Sequence, residues 1–430
     1  MAVTSRLAIL IALGIPLMFL TEWKAAGTSW LLLCLALWLF DALLAPSPRR
    51  LTITRQLPVS LRLNATTPYS ITVSNPTRRR FRAWLRDAWQ PSLQAAPARH
   101  RFVLAGKQTL ELAATFTPTR KGTLVSDSVT IRSFGPLGLG ARQFSAPIGQ
   151  KVRVLPEFRS AKYLPSRLAT LRRLEGNTLL TQRGQGSEFD SLREYVPGDD
   201  VRDIEWHVSA RNRVPVVKTW RPERDRNVII CLDTSRTSAV RLGAYPRLDA
   251  NMEAALLLGA LASSAGDRIH LIAFDNRIRA NIQPSRGQGL VGEMASAMAG
   301  LESSLTEANW MGLGQNLLAT VRQRSLVVVL TGLEAGLDRG QLMPMVESLS
   351  GHHQVLVAAA MDPEVSELTV KADNTEEAFL AAAAMADCEE RRRAGDLLGL
   401  LGAQVLTTDP DALPPAVADA YLALKRRGQI

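Results

Sequence analysis

The stretch Val228-Ile-Ile-Cys-Leu-Asp-Thr-Ser-Arg-Thr237 decides the fold class of the second half of this 430-residue chain. An apolar run of buried-strand length ends at Asp233, and similar runs follow at residues 269–274, 326–330, 355–360 and 404–406. Helical stretches are predicted at residues 252–265, 291–301, 313–322, 341–349, 376–401 and 413–427. Because strands and helices alternate, residues 225–430 are predicted to be a doubly wound α/β domain with a mostly parallel sheet and helices on both faces.

Residues 50–155 are predicted to be a separate β-rich, immunoglobulin-like domain. Seven short alternating runs lie between turn signals such as Asn75-Pro76, a pattern typical of a β-sandwich. Five arginines follow that turn: Arg78, Arg79, Arg80, Arg82 and Arg86. They are interpreted either as a contact for phosphate or an acidic partner, or as a solvated face close to a membrane.

Residues 1–48 are predicted to form a two-helix transmembrane hairpin. Two uncharged stretches, 7–21 and 25–40, are separated only by Glu22, Trp23 and Lys24. Apolar segments in lipid form helices because lipid offers the backbone no hydrogen-bond partner. Basic residues precede the first stretch and follow the second, so the positive-inside rule places both ends in the cytoplasm. A cleaved signal peptide is the competing interpretation, and the second apolar stretch argues against it.

The net charge of +11 is distributed unevenly along the chain. Residues 49–224 hold 31 basic and 13 acidic side chains, a net charge of +18, whereas residues 225–430 have a net charge of −7. This pattern predicts a basic half next to the membrane and an acidic distal half. No nucleic acid partner is expected, because no recognition motif with interleaved aromatic residues accompanies the basic half. Three cysteines exclude a disulfide scaffold.

A dense charged motif lies in the connecting segment, residues 156–224. Pro197-Gly198 predicts a turn, and carboxylates and guanidinium groups capable of pairing surround it. A buried apolar underside is expected from Phe189, Leu192, Tyr195, Ile204 and Trp206. The candidate docking residues are Glu188, Arg193, Glu194, Tyr195, Gly198, Asp199, Asp200, Arg202, Trp206 and Arg211. A charge-paired structural hub, a docking surface and an acid–base site remain alternatives, but no nucleophile or metal-ligand cluster accompanies the carboxylates.

The stretch from Gly186 to Arg211, with Leu-Arg-Glu-Tyr, Pro-Gly-Asp-Asp and Ser-Ala-Arg, resembles the signature of the bacterial domain of unknown function 58 family. The resemblance implies a membrane hairpin, a β-rich region and a C-terminal von Willebrand factor A-like domain in the bacterial inner membrane, with the bulk of the chain cytoplasmic. It also implies a MoxR-type AAA+ ATPase as partner. We therefore expect a membrane-anchored protein-interaction or scaffold module that works with such an ATPase in the assembly or maturation of an unknown client complex. The alternative is a membrane-associated enzyme that uses the carboxylates around Asp199 and Asp200, although the chain contains no recognisable catalytic motif.

The loop Asp233-Thr-Ser-Arg-Thr237 resembles the Asp-x-Ser-x-Ser loop of the metal-ion-dependent adhesion site in von Willebrand factor A domains. The resemblance implies a Mg²⁺ site that Asp233 would anchor indirectly and that Ser235 and Thr237 would ligate through their hydroxyls. Two further loops depart from the pattern. Thr331-Gly332 stands where the family has Thr-Asp, and Ala308 stands where a Thr is expected, with Asp275 or Glu334 as substitutes. Both a degenerate Mg²⁺ site and a loop that only caps the strand end remain open.

Overall fold

The computed structural model describes residues 2–16, 24–181, 188–221, 226–243, 245–287, 289–333, 339–370 and 373–429. They divide into two compact units, Met1–Leu155 and Pro156–Ile430. Gly186, at the start of the signature, and Glu334, a candidate metal ligand, lie outside the described residues.

The first unit begins with strand β1 (Ala2–Val3), helix α1 (Ser5–Ala12) and helix α2 (Lys24–Leu44). Among the described residues, one segment, Gly27–Arg50, is long and apolar enough to cross a membrane by its length and composition. The Trp30 indole nitrogen on α2 donates to the carbonyl oxygen of Leu10 on α1 at 3.3 Å. One N-terminal helix is therefore suited to a membrane, and the two-helix hairpin stays a prediction.

Ten further strands complete this unit. They are β2 (Thr52–Gln56), β3 (Ser60–Arg62), β4 (Thr67–Ser74), β5 (Phe81–Ala88), β6 (Arg99–Leu104), β7 (Thr109–Phe116), β8 (Gly122–Ser126), β9 (Ser128–Phe134), β10 (Gly140–Ala146) and β11 (Gln150–Leu155). They form a five-stranded sheet in the order β1-β10-β9-β5-β6 and two three-stranded sheets, β2-β4-β7 and β3-β11-β8. Alternate residues from all three sheets share one apolar core, which is the packing of a β-sandwich.

A buried polar cluster joins the sheets of the first unit. The Asp87 carboxylate on β5 pairs with Arg55 of β2 and accepts hydrogen bonds from the Tyr69 hydroxyl at 3.0 Å and the Trp89 indole nitrogen at 2.8 Å. Burial beside Asp87 raises the pKa of Tyr69. The cluster satisfies buried polar groups mutually, as a sandwich interior requires.

The second unit is built around a six-stranded sheet. Its strands are β14 (Asn227–Asp233), β17 (Arg268–Phe274), β18 (Ile278–Ser285), β19 (Leu326–Thr331), β20 (Gln354–Ala360) and β21 (Gln404–Thr408), in the order β18-β17-β14-β19-β20-β21. All neighbours are parallel except β18, which pairs antiparallel with β17. Two small pairs lie outside this sheet: β12 (Glu188–Glu194) with β13 (Val216–Arg221), and β15 (Arg241–Leu242) with β16 (Tyr245–Pro246).

Helices cover both faces of this sheet. The helices of the unit are α3 (Leu164–Thr181), α4 (Trp206–Asn212), α5 (Arg247–Ser264), α6 (Leu290–Ala299), α7 (Trp310–Thr320), α8 (Arg339–Ser350), α9 (Pro363–Leu368), α10 (Thr375–Leu400) and α11 (Leu413–Arg426). Trp310, Val346 and Leu398, from α7, α8 and α10, pack with one set of alternating strand residues. Helices α5 and α11 pack together and contact strands of the same sheet, and α5 is buried along most of its length. This is the layered α/β arrangement that the alternating pattern predicts.

Candidate functional site

The signature segment folds as a β-hairpin that carries two short helical turns. Strands β12 and β13 pair antiparallel, with Arg193 opposite Val217, and the hydroxyls of Ser191 and Thr219 lie 2.7 Å apart across them. The Tyr195 N–H donates to the Pro215 carbonyl at 2.8 Å, which closes the paired region. Cross-strand pairs of this kind fix the register of a two-stranded sheet.

The turn at Pro197-Gly198 is held by a bidentate ion pair. Gly198 has φ of +111°, a conformation open to glycine, as the turn chemistry predicts. Arg193 Nη1 and Nη2 donate to Asp199 Oδ2 and Oδ1 at 2.7 and 2.5 Å, and Val196 N–H donates to the same carboxylate at 2.9 Å. Hydrogen bonding to Asp199 raises the pKa of Arg193. The bidentate pair of Arg193 and Asp199 fixes the geometry of the turn. It contributes little to the free energy of unfolding, because both side chains are partly exposed.

Asp200 and Glu205 hold the segment that follows the turn. The Asp200 carboxylate accepts from Arg202 N–H at 2.9 Å and caps a single 3₁₀ turn, Val201–Asp203. Glu205 pairs with Lys218 of β13, and this hydrogen bond lowers the pKa of Glu205. The carboxylates proposed for acid–base chemistry, Asp199 and Asp200, are thus each engaged in bonds that shape the backbone.

The expectation of a buried apolar underside is wrong for two of its members. Trp206 is 69% exposed and Leu192 is 40% exposed, while Tyr195 is half-buried. Helix α4 is anchored instead by Ser209, whose buried hydroxyl accepts from Val216 N–H at 2.8 Å and donates to the Glu205 carbonyl. Trp206, at the beginning of this helix, lies in solvent. Val196 and Val201 are also exposed, at 56% and 60%.

The other signature residues lie on the same small module. Glu194 is exposed at the end of β12, Arg202 lies in the 3₁₀ turn and Arg211 is exposed in the last turn of α4. Glu188 begins β12, and its side chain lies outside the described part of the chain. The module therefore combines exposed apolar side chains with charged groups, of which the pairs Arg193–Asp199 and Glu205–Lys218 are fixed.

The second candidate site is the loop at the carboxyl end of β14. Asp233 is fully buried, and its carboxylate accepts from Ser235 N–H at 2.7 Å and from the Thr237 and Thr331 hydroxyls at 2.6 Å each. The Ser235 and Thr237 hydroxyls lie 3.1 Å apart, and both residues are buried. The structure thus brings the three predicted residues together, but in a closed hydrogen-bond network.

A guanidinium group occupies the neighbourhood of the missing carboxylate. Arg247, buried at the start of α5, donates to the Thr237 carbonyl at 2.6 Å and to the Ala360 carbonyl at 3.1 Å. A Cβ atom on Gly332 would lie only 2.2 Å from Arg247 Nη1, so an aspartate at this position would collide with the guanidinium group. A fixed cation beside the loop also repels a divalent ion.

Of the two candidate substitutes for the lost ligands, Glu334 lies outside the described residues and Asp275 is engaged elsewhere. Asp275 accepts from the Ser304 hydroxyl at 2.9 Å and from Arg277 N–H at 3.1 Å, and Arg279 lies 3.5 Å from it. Ala308 is buried and offers no hydroxyl. Among the described residues no group of three His, Cys, Asp or Glu side chains is placed to hold a metal ion. The residues present fit a capped strand end better than a Mg²⁺ site.

The partners that complete this loop lie outside its local motif: the family resemblance points to Thr331, whereas the sequence pattern does not point to Arg247. Thr331 is 98 positions away from Asp233, and Arg247 belongs to the next helix, so no local motif announces either. A signal was present in the glycine of Thr331-Gly332, because loss of a side chain at a strand end indicates a close approach by another group.

Comparisons with known proteins cover parts of the chain. A sequence model of the family described as "Protein of unknown function DUF58" matches residues 191–392, just under half of the chain. Uncharacterized proteins of Mycobacterium tuberculosis (strain ATCC 25618 / H37Rv) and Mycobacterium bovis are 25% identical over 202 residues, which cover 45% of this chain. The matched region spans 61% of the length of these relatives.

Two solved structures are similar to separate regions. The VWA domain of SpRpn10 is 12% identical, covers 45% of this chain and 94% of that domain, and gives a TM-score of 0.28. The ASH/PapD-like domain 7 of human CEP192 is 10% identical, covers 25% of this chain and 85% of that domain, and gives a TM-score of 0.19. At these TM-scores neither likeness supports a conclusion about the fold.

Proposed function

We propose that the chain is a membrane-anchored protein-interaction module of the domain of unknown function 58 family, working with a MoxR-type AAA+ ATPase on a client complex. The observation that carries the proposal is the exposed surface of the signature module, defined by Val196, Val201 and Trp206. An exposed tryptophan next to apolar and charged groups is the composition of a binding hot spot. The alternative is an enzyme that uses Asp199 and Asp200. Both carboxylates are engaged in hydrogen bonds that shape the backbone, so they support this alternative less well.

Membrane anchoring by a two-helix hairpin is part of the proposal. Segment Gly27–Arg50 has the length and composition of a span, and Trp30 joins α2 to α1. Arg49 and Arg50 lie at the C-terminal end of this segment, so the bulk of the chain would be cytoplasmic on the inner face of a bacterial membrane. The ATPase itself enters through the family resemblance, and we propose the exposed surface of the signature module as its contact.

The test is co-purification of the tagged full chain, solubilised in detergent from its native host. We expect an AAA+ ATPase to be enriched, and Trp206→Ala to lower its recovery about tenfold or more, as truncation of a hot-spot residue does. Leu305→Ala is the matched control, because Leu305 is an 83% exposed apolar residue of the same unit outside the signature module.

Two results would contradict the proposal. One is that no AAA+ protein is enriched, with or without ATP. The other is that Leu305→Ala lowers recovery as much as Trp206→Ala, which would show that the signature module is not the contact surface.

A further inference from the structure

The charged side chains on the outward face of the five-stranded sheet in the first unit are all basic. On β5, β6 and β9, exposed residues alternate with core residues, and the outward positions carry five arginines: Arg82, Arg86, Arg99, Arg101 and Arg132. We call these five, with Trp84 at their centre, the arginine face. The single carboxylate in strands β5, β6, β9 and β10 is Asp87, which is buried on the opposite side against Arg55.

Strand register groups four of these arginines around Trp84. Trp84 lies opposite Arg101 on β6 and Arg132 on β9, and the Arg132 and Arg99 guanidinium carbons lie 4.8 and 5.3 Å from the Trp84 ring centroid. Arg86 lies directly opposite Arg99. Like charges at directly opposed positions destabilise a sheet, so an anion beside Arg86 and Arg99 would stabilise this pair.

Protection of a sheet edge explains only part of the arginine face. Strand β6 is the edge of its sheet, and charged side chains on an edge prevent pairing with other chains. Arg82, Arg86 and Arg132 lie on β5 and β9, which have neighbours on both sides. Edge protection leaves their charge unexplained.

The arginine face begins beside the end of the membrane helix. The Asp41 carboxylate on α2 accepts from the backbone N–H groups of Leu137, Leu139 and Gly140, in the turn between β9 and β10. Because β5 runs antiparallel to β9, its first residues lie at the same end of the sheet, about 10 Å across two strand spacings. Arg78, Arg79 and Arg80 precede β5 there and are exposed.

We propose that the arginine face, together with Arg78–Arg80, binds the phosphate headgroups of anionic phospholipids next to the point where α2 enters the bilayer. Guanidinium forks match phosphate oxygens, and basic residues beside a span are attracted to anionic headgroups. Nucleic acid fits less well, because the Trp84 ring is already flanked by Arg99 and Arg132, and base stacking needs an open aromatic face. This inference rests on the proposed membrane anchor but not on the ATPase.

The test places a photo-cross-linking residue at Val103 in the full chain, reconstituted in nanodiscs. Val103 is 48% exposed, lies opposite Arg82 and points outward on β6, whereas Val59, 99% exposed between β2 and β3, serves as the second probe position. One set of nanodiscs contains phosphatidylcholine alone, and the other contains one third phosphatidylglycerol. We expect the probe at Val103, but not at Val59, to label phosphatidylglycerol.

Charge variants separate binding from mere proximity. Arg82→Gln with Arg86→Gln is expected to lower the labelling about tenfold or more, since two cations close to headgroups are lost. Lys151→Gln with Arg153→Gln removes the same charge from exposed positions on β11 of another sheet and should leave labelling unchanged.

Several outcomes would overturn the inference. One is that the probe at Val103 labels no lipid, or that it labels phosphatidylcholine as strongly as phosphatidylglycerol. Another is that the Arg82 and Arg86 substitutions leave the labelling unchanged, or that the probe labels nucleic acid in cells. Alkaline carbonate extraction is measured in parallel on cell membranes. If the chain resists extraction but Val103 labels no lipid, the inference fails and the anchor stands. If the chain is extracted and Val103 still labels phosphatidylglycerol, the anchor fails and the lipid site stands.

Discussion

Asp233 is the residue on which the loop at the end of β14 depends. Its buried carboxylate accepts three hydrogen bonds, from the Ser235 backbone and from the Thr237 and Thr331 hydroxyls. A Mg²⁺ ion would have to compete with these bonds while lying near the buried Arg247 guanidinium group. The local chemistry therefore favours a loop that closes on its own aspartate.

We predict that Asp233→Ala lowers the free energy of unfolding by about 2–4 kcal/mol, because it leaves three buried donors without an acceptor. The measurement is thermal melting of the detergent-solubilised chain, with and without millimolar Mg²⁺. Magnesium is expected to leave the melting temperature of the unaltered chain unchanged, since an ion that does not bind the folded state cannot stabilise it. A Mg²⁺-dependent rise in the unaltered chain that Asp233→Ala abolishes would establish the metal site instead.

At the scale of elements, helix α2 and the β9–β10 turn form one joint. Three backbone N–H groups of the turn bind the Asp41 carboxylate, and Arg142 donates to the carbonyls of Ala42 and Leu43 at 3.0 and 3.1 Å. Gly140 packs so closely that a Cβ atom there would lie 2.7 Å from that of Ala42. The apolar helix is thus continuous with the β-sandwich rather than loosely tethered to it.

We predict that Asp41→Asn destabilises the first unit by about 1.5–3 kcal/mol, because the amide that replaces one oxygen cannot accept from the turn. The measurement is thermal melting together with the rate of proteolytic cleavage in the turn at residues 135–139. Asp127→Asn is the control, since Asp127 is an exposed carboxylate in the β8–β9 connection. Equal protease sensitivity of the two variants would show that Asp41 does not hold the joint.

Among the individual elements, the sequence predicts the buried apolar strands and misses the strands whose sequences are polar. The central strands β14, β17, β19 and β20 begin and end within about two residues of the predicted runs, because strands covered on both faces are continuously apolar. Strand β18 was not predicted, since Ile278–Ser285 is an edge strand with a mostly exposed, polar sequence. The β12–β13 hairpin was likewise hidden, because charged residues alternate along it.

At the scale of the whole molecule, the candidate site residues follow the same division. Adjacent residues such as Asp199 and Gly198 were recognisable as a turn, because turn chemistry is local. The approach of Arg247 to the Asp233 loop and the exposure of Trp206 depend on tertiary packing, which one sequence does not display. The uneven net charge along the chain likewise indicates a binding surface only once the structure shows that the arginine face lies on one side of a sheet.

Buried histidines make the stability of the second unit depend on pH. His353, before β20, is buried, and neither ring nitrogen has a hydrogen-bond partner among the described residues. Burial, and to a lesser extent the neighbouring His352, lowers the pKa of His353; burial also lowers the pKa of His270, which bonds to Asn281 at 2.8 Å. The folded state thus favours neutral imidazole, while the unfolded chain takes up protons near pH 6.5.

A depressed folded-state pKa gives stability that is present above about pH 6.5 and is lost as the pH falls through the folded value. We therefore predict that His353 and His270 act to lower the melting temperature of the second unit between pH 7 and pH 5, each contributing at most about 1.4 kcal/mol per pH unit. His353→Leu removes one titrating group without orphaning a hydrogen-bond partner, so its melting temperature should fall less over this range. His352→Leu is the matched control, because His352 is exposed and should retain most of the pH dependence. If His353→Leu loses stability between pH 7 and pH 5 as steeply as the unaltered chain, His353 is not a source of the acid sensitivity.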